Sequence, residues 1–316
     1  MPTTTQLPRL HVVTGKGGTG KTTVAGALAL ALAANSARVL LVEVEGRQGL
    51  AQLFDTPPLP YAETRLAATS GGEVIGLAVD AEAAMLEYLE MFYNIKRGGS
   101  VLRKMGAIDF VTTIAPGLRD VLLTGKVKEA VTRTRGGRPD FDAVVLDAPP
   151  TGRVVQFLQA THEVAGLTKI GPIHRQSTGV IDLLHSARTH IHLVTLLEEM
   201  PVQETLDAAG QLREHGYQVG QVIVNRARPV LVSGRRPNQK LLAEGLGAAG
   251  LDPSIAGALV TEVLDYAARQ DVQVRASEEL DQLAAPVRRL PELAPPMDLS
   301  NLFELAEALD VKQWSV

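Results

Sequence analysis

Short runs of aliphatic and β-branched residues recur along the chain, separated by longer stretches with helical periodicity. Leu10–Thr14, Arg38–Val44, Val74–Val79, Phe141–Leu146, His192–Leu196, Val219–Val224 and Pro286–Leu290 read as strands. Within most of these runs the apolar positions are consecutive rather than alternate. Such strands bury both faces, which predicts a parallel sheet with helices on each side. Val24–Ala34 (VAGALALALAA) reads as a tightly packed helix, and Leu299–Leu309 as a terminal one. The prediction is one α/β domain over residues 1–316, built on a mainly parallel sheet flanked by helices.

Two stretches do not fit a minimal strand–helix rhythm. Residues 81–135 hold three helical patterns in a row, AEAAMLEYLEMFY, VLRKMGAIDFVTTI and GLRDVLLTGKVKEAV. Residues 153–190 hold another helical block around TKIGPIHRQSTG. Both read as helices standing beyond the carboxyl ends of the strands, together forming a helical subdomain. Arg226–Pro237 reads as a linker-like loop, and no internal repeat is visible.

Composition narrows the classes of function. Hydrophobic residues make up 45% of the 316, but aromatics only 4%, so the core is built from Ala, Val, Leu and Ile. A net charge of −4 offers no electrostatic footprint for nucleic acid or an anionic membrane. The chain has no cysteine, which excludes disulfides, thiolate zinc sites and iron–sulfur ligation. The opening MPTTTQLPRL lacks a charged segment followed by an apolar run, and Val24–Ala34 is too short to span a bilayer. A cytoplasmic location is expected.

The strongest chemical signal lies between the first strand and the first helix. Gly15-Lys16-Gly17-Gly18-Thr19-Gly20-Lys21-Thr22-Thr23 satisfies the phosphate-loop pattern G-x-x-x-x-G-K-[ST]. Its glycines let successive N–H groups point inward as a nest for phosphates, at a helix N-terminus that carries partial positive charge. In that setting Lys21 neutralises the outer phosphates, the Thr22 hydroxyl holds Mg²⁺, and Thr23 donates to an inner phosphate. The expected ligands are therefore a nucleoside triphosphate and Mg²⁺. A second lysine, Lys16, follows the first glycine directly.

Other residues gather around this loop. Phe141–Arg153 (FDAVVLDAPPTGR) is an apolar strand ending in Asp147, where a carboxylate can hold Mg²⁺ directly or through water, or simply begin a turn. Glu43 and Glu45 alternate onto one face at the end of the second strand, as partners for an attacking water or as a solvated strand end. Asn225 ends a later strand with a donor and an acceptor that suit a purine edge. His190 and His192 share a strand face, but with no third ligand in view they read as core or solvated histidines. Lys96, Arg97, Arg103 and Lys104, and likewise Arg226, Arg228, Arg235 and Arg236, read as solvated loops.

With these residues in place, the chain resembles the arsenical-pump and tail-anchored-protein-targeting ATPases, the ArsA-like anion-transporting family, in an actinobacterial branch. GKGGTGKTT is similar to the family's deviant Walker A loop. Leu40–Phe54 is similar to its switch I segment and Leu146–Leu158 to its switch II segment. The likeness extends to GLAVDAEAAMLEY, PGLRDVLLTGKV and LLEEMPVQETLDAAGQL, and so covers Leu10 to about Leu309.

The resemblance implies a P-loop NTPase fold and a role for each matching residue. Lys16 matches the signature lysine that reaches the partner subunit's bound phosphates. Lys21 and Thr22 match the phosphate and Mg²⁺ residues, Asp147 the switch II aspartate, and Asn225 the adenine-contacting asparagine. Glu45-Gly46 stands where the family has a catalytic aspartate followed by proline, and Arg153 where it usually has histidine. Arsenite-binding members use cysteine thiolates and targeting members a zinc CxxC, neither of which this chain carries. Thiol-based arsenite transport therefore lacks its chemistry here.

The expected function is a Mg-ATP-dependent dimerising ATPase that opens and closes its helical subdomains on a client or partner. With one phosphate loop, a second site must come from a second chain, either a copy or a paralogue. A hydrophobic helix is a candidate client, with Met85, Met91 and Met105 in the insert helices as lining residues. Two alternatives stand beside this: a nucleotide-binding partner subunit of a heterodimer, and a septum-site or partition-type positioning ATPase. The acidic terminal helix disfavours the second, allowing at most peripheral membrane association.

Overall fold

The structure, a computed structural model, describes residues 9–35, 37–93, 116–167, 172–231 and 238–314. Its centre is an eight-stranded sheet. In chain order the strands are β1 (Leu10–Gly15), β2 (Arg38–Glu43), β3 (Thr64–Ala68), β4 (Glu73–Ala78), β7 (Ala143–Asp147), β8 (Thr189–Thr195), β9 (Val219–Ala227) and β10 (Val287–Pro291). The two strands β5 (Thr134–Arg135) and β6 (Arg138–Pro139) form a separate small ribbon. The order across the large sheet is β10-β9-β8-β1-β7-β2-β4-β3.

All neighbours pair in parallel except β3, which runs antiparallel to β4 at the edge. From β1 the chain passes to β2 on one side, while from β7 it crosses to β8 on the other. The reversal leaves a crevice at the carboxyl ends of the central strands, where open α/β sheets bind ligands.

The consecutive apolar residues of each strand divide between two cores. Leu10, Val12, Leu40, Val42, Val144 and Leu146 face one side, where α4 (Pro116–Thr132), α5 (Thr151–Leu167), α6 (Pro172–Leu184) and α7 (Glu199–Glu214) pack. Val13, Val39, Leu41, Val145, Val194 and Ile223 face the other, against α1 (Lys21–Ala33) and α10 (Leu299–Leu309). Every residue of α1 from Val24 to Ala33 is buried, because α1 lies between the sheet and α10. A helix enclosed in this way needs small apolar residues all round, which accounts for its alanines.

Within the stretches 81–135 and 153–190, the described helices α3 (Ala81–Tyr93), α4, α5 and α6 pack on one another. Val127, Val154 and Val180 anchor α4, α5 and α6 in the core of one sheet face. Met85 packs against that core, while Met105 and the Met91 side chain lie outside the described residues. Lys96, Arg97, Arg103, Lys104, Arg235 and Arg236 also lie outside them.

Four further elements complete the described residues: α2 (Gly49–Leu53), a hairpin of α8 (Gln239–Ala248) and α9 (Pro253–Asp281), and a final turn of 3₁₀ helix at Val311–Gln313. Among the described residues no helix is long and apolar enough to cross a membrane.

Candidate functional site

The parallel strands deliver Gly15, Glu43, Asp147 and Asn225 to the same edge of the sheet. Register fixes their spacing: Asp147 stands opposite both Val13 and Glu43, and Gly15 stands opposite Val194. The approach of β1 to β8 is so close that a Cβ on Gly15 would lie 2.2 Å from the Val194 carbonyl oxygen. Only glycine fits there.

The loop then turns back to open α1. Gly20, at the N-cap, has φ of 86°, a left-handed conformation, and no side chain caps the helix. A Cβ at Gly20 would also meet Asn225 Nδ2 at 2.3 Å. Thr19 braces the loop by donating its hydroxyl to the Lys16 carbonyl at 2.8 Å. From β9, Asn225 Nδ2 donates to the Thr19 carbonyl at 2.9 Å, and Asn225 Oδ1 accepts from the Arg226 N–H at 3.0 Å. The amide thus ties β9 to the loop with one donor and one acceptor already engaged. Lys21, Thr22 and Thr23 occupy the first turn of α1, each partly exposed, where the helix end favours an anion.

Beneath the loop, the Thr22 hydroxyl donates to Asp147 Oδ2 at 2.6 Å. Asp147 is buried, and among the described residues its Oδ1 has no hydrogen-bond partner. Burial pushes its carboxyl up to about 6, against the pull of Thr22 and Lys21 and with added repulsion from Glu43 and Glu45. A buried carboxylate oxygen left open beside a hydroxyl fits a hard divalent cation such as Mg²⁺. No group of three or more His, Asp or Glu forms a metal cage among the described residues.

The two glutamates of β2 differ sharply. Glu43 is buried, and its carboxylate accepts from Gly49 N at 3.0 Å and Leu50 N at 3.3 Å, holding the head of α2. Glu45 remains partly exposed, 3.8 Å from Arg47, beside Gly46 in a left-handed conformation. The pattern of alternation alone does not separate them. The separation comes from α2, which folds back until Gly49 lies against Thr22.

Lys16 projects from the loop toward α7, where its Nζ lies 2.7 Å from Glu204 Oε1. The other oxygen of Glu204 accepts from the Thr151 hydroxyl at 3.4 Å, at the first residue of α5. On the same segment, Thr14 donates to the Pro149 carbonyl at 2.6 Å, and Arg153 pairs with Asp120 of α4 at 3.5 Å. Sequence reasoning misses Glu204, since it is one of several acidic residues on an ordinary amphipathic helix. Only the packing of α7 beside the loop identifies it.

His190 and His192 bind nothing in common. His192 is fully buried, its Nδ1 accepts from Gln221 N at 3.0 Å, and its Nε2 meets His11 Nδ1 at 3.0 Å. Trp314 covers the pair, 5.1 Å from the His192 ring centre. His11 and His192 are core histidines, whereas His190 is half-buried.

The family model for anion-transporting ATPases matches residues 9–187. The protein named ATPase BagA from Mycobacterium tuberculosis is 52% identical over 95% of this chain and 92% of its own length. An arsenical pump-driving ATPase from Acidiphilium multivorum is 26% identical over 71% of this chain and 40% of its own. ATPase get3 of Schizosaccharomyces japonicus is 26% identical over 54% and 51% of the two chains.

Proposed function

The chain belongs to the anion-transporting ATPase family, and on that premise we propose that it is a Mg-ATP-dependent switch that hydrolyses ATP as a dimer. One observation carries this reading above the rest. Thr22 and Asp147 meet at 2.6 Å under the glycine loop, with the second Asp147 oxygen buried and open. Thr22 and Asp147 would hold Mg²⁺, Asp147 probing it directly or through water. The ion would neutralise charge on the outer phosphates.

The remaining roles follow from position. Backbone N–H groups of Gly15 to Thr23 and the Lys21 ammonium bind the phosphates. Glu45 is the carboxylate with freedom to orient an attacking water, since Glu43 is committed to α2. Lys16 acts on phosphates across a dimer interface, and Asn225 stands on the strand beside the loop as the adenine contact. The helices within 81–135 and 153–190 form the moving subdomain, because α5 begins at Thr151 in direct continuation of the Asp147 segment. These helices would hold a client or partner, a hydrophobic helix being one candidate. Arsenite remains excluded as a thiol ligand, since the chain has no cysteine.

The looser switch I, with Glu45 paired to Arg47 and Gly46 after it, supports a second reading as the weaker subunit of a heterodimer. A positioning ATPase gains no support. The apolar face of α10, with Leu302, Leu305 and Leu309, is buried toward α1, and Glu304 and Glu307 face solvent.

Hydrolysis and sedimentation of the purified chain with Mg-ATP test the proposal. Lys16→Ala should bind ATP yet lose about 10³–10⁵-fold in turnover, the range for a cation that stabilises transferring phosphate. Asp147→Asn should abolish the Mg²⁺ dependence. Undiminished turnover in Lys16→Ala removes the trans role, and activity that appears only with a paralogue present selects the heterodimer.

A further inference from the structure

Three helices bring histidines together below the amino ends of β8 and β9, at the edge of the sheet opposite the phosphate loop. His162 lies on α5, His185 directly follows α6, and His215 caps α7. They line one shallow depression together with Glu163, Glu214 and Tyr217. Nothing in the nucleotide chemistry uses them.

The geometry within the depression is specific. His162 Nε2 and His185 Nε2 approach to 3.2 Å, with the rings nearly perpendicular. His185 is held from behind: its Nδ1 lies 3.3 Å from the Gly216 carbonyl, and its ring stacks on Tyr217 at 4.6 Å between centroids. The carbonyl can only accept, so Nδ1 carries the proton and Nε2 presents its lone pair into the depression. A backbone carbonyl on the far nitrogen is the usual support of a metal-bound imidazole. Two imidazole nitrogens on one metal, each at about 2.0–2.1 Å, lie roughly 2.9–3.4 Å apart for bond angles near 90–110°. The observed separation falls in that window.

We propose that His162 and His185 are the core of a binding site for a borderline divalent transition-metal ion, of the Zn²⁺, Co²⁺ or Ni²⁺ class. Without metal, His162 donates its Nε2 proton to His185. On binding, His162 takes up its other tautomer, its proton moving through solvent from Nε2 to Nδ1, so that Nε2 offers a lone pair to the ion with no net proton release. As the side chains stand, no three ligating groups converge among the described residues. The third ligand comes by rotation of exposed His215, Glu163 or Glu214 at the rim, with water completing the shell. Imidazole and carboxylate donors suit this class and not Mg²⁺ or Ca²⁺, which prefer all-oxygen shells.

Such an ion would join the far end of α5 to the far ends of α6 and α7. The near end of α5 holds Thr151, and α7 carries Glu204, so the clamp acts on helices that reach the phosphate loop.

The test uses the untagged full chain, stripped with chelator and held in excess Mg²⁺ to occupy hard-cation sites. Titration calorimetry with Zn²⁺ should find one ion per chain with a micromolar Kd, and Co²⁺ should give a visible d–d spectrum. His162→Ala and His185→Ala should each weaken binding at least tenfold, while His190→Ala leaves it unchanged. His162→Gln, which keeps the helix surface polar, serves as the second variant, and retained ATP binding shows that each variant is folded. Millimolar affinity in the wild-type chain, or wild-type affinity in either histidine variant, overturns the proposal.

Discussion

Lys16 of the phosphate loop and Glu204 of α7 form an ion pair at 2.7 Å, and Glu204 also receives the Thr151 hydroxyl at the head of α5. One carboxylate therefore holds both the loop lysine and the segment that follows Asp147. Any phosphate that draws Lys16 away must compete with Glu204. Both side chains are about one-third exposed, at 30% and 37%, so solvent screens the pair and limits its worth to about 1 kcal/mol.

Glu204→Gln is accordingly expected to free Lys16 and raise ATP-dependent turnover or dimerisation severalfold, up to about fivefold. Steady-state hydrolysis against protein concentration measures it. An unchanged concentration dependence would show that Glu204 does not restrain Lys16.

Glu43 and Glu45 should separate into stability and turnover. Glu43→Ala leaves the Gly49 and Leu50 N–H groups without their carboxylate and is expected to cost about 1–3 kcal/mol in a urea melt. Glu45→Ala should change stability by less than about 0.5 kcal/mol while lowering turnover. If Glu45→Ala hydrolyses ATP as the wild type does, another group orients the water.

Asn225 offers a discrimination between two functions. Its Nδ2 braces the loop through the Thr19 carbonyl. If it also reads a purine edge, Asn225→Ala weakens ATP more than GTP, measured by competition with a fluorescent nucleotide. Equal weakening of both nucleotides would confine Asn225 to the loop.

The buried His192 should make the fold acid-sensitive. Burial holds its pKa well below 6.5, and His11 and His190 add to the effect. The unfolded chain takes up a proton as pH falls below about 6.5, and the folded chain resists it. Stability is therefore complete above that pH and declines below it, by at most about 1.4 kcal/mol per pH unit for one such group. Trp314, the chain's sole tryptophan, packs on His192 and reports the change by fluorescence. His192→Gln should flatten the acid limb, and an unaltered limb would assign it to other groups.

Much of the fold is legible in the hydrophobic pattern, for a local reason. Strands buried on both faces carry apolar residues at consecutive positions, so β1, β2, β7 and β9 announce themselves as near-continuous runs. The edge strand β3 does not, since Thr64-Arg65-Leu66-Ala67-Ala68 pairs on one side and needs no such run. The α8–α9 hairpin is also silent to periodicity. Among its residues α8 buries none and α9 only Ala256, Val260, Ala267, Ala276 and Leu280. Its local signals are caps: Asn238 accepts from Lys240 N and Leu241 N at the head of α8, and before Pro253 Asp252 accepts from Ser254 N at the head of α9.

By itself the sequence determined the phosphate loop, the strand carrying Asp147 and the absence of thiol chemistry, because these depend on residue types at fixed local spacing. It did not determine which of Glu43 and Glu45 stays free, which carboxylate holds Lys16, or that histidines from three helices share one depression. Those relations join segments far apart in the chain, and their distances are set by how α2, α5, α6 and α7 pack on the sheet. Packing of that kind leaves no periodic trace in any one segment, so only the tertiary structure decided them.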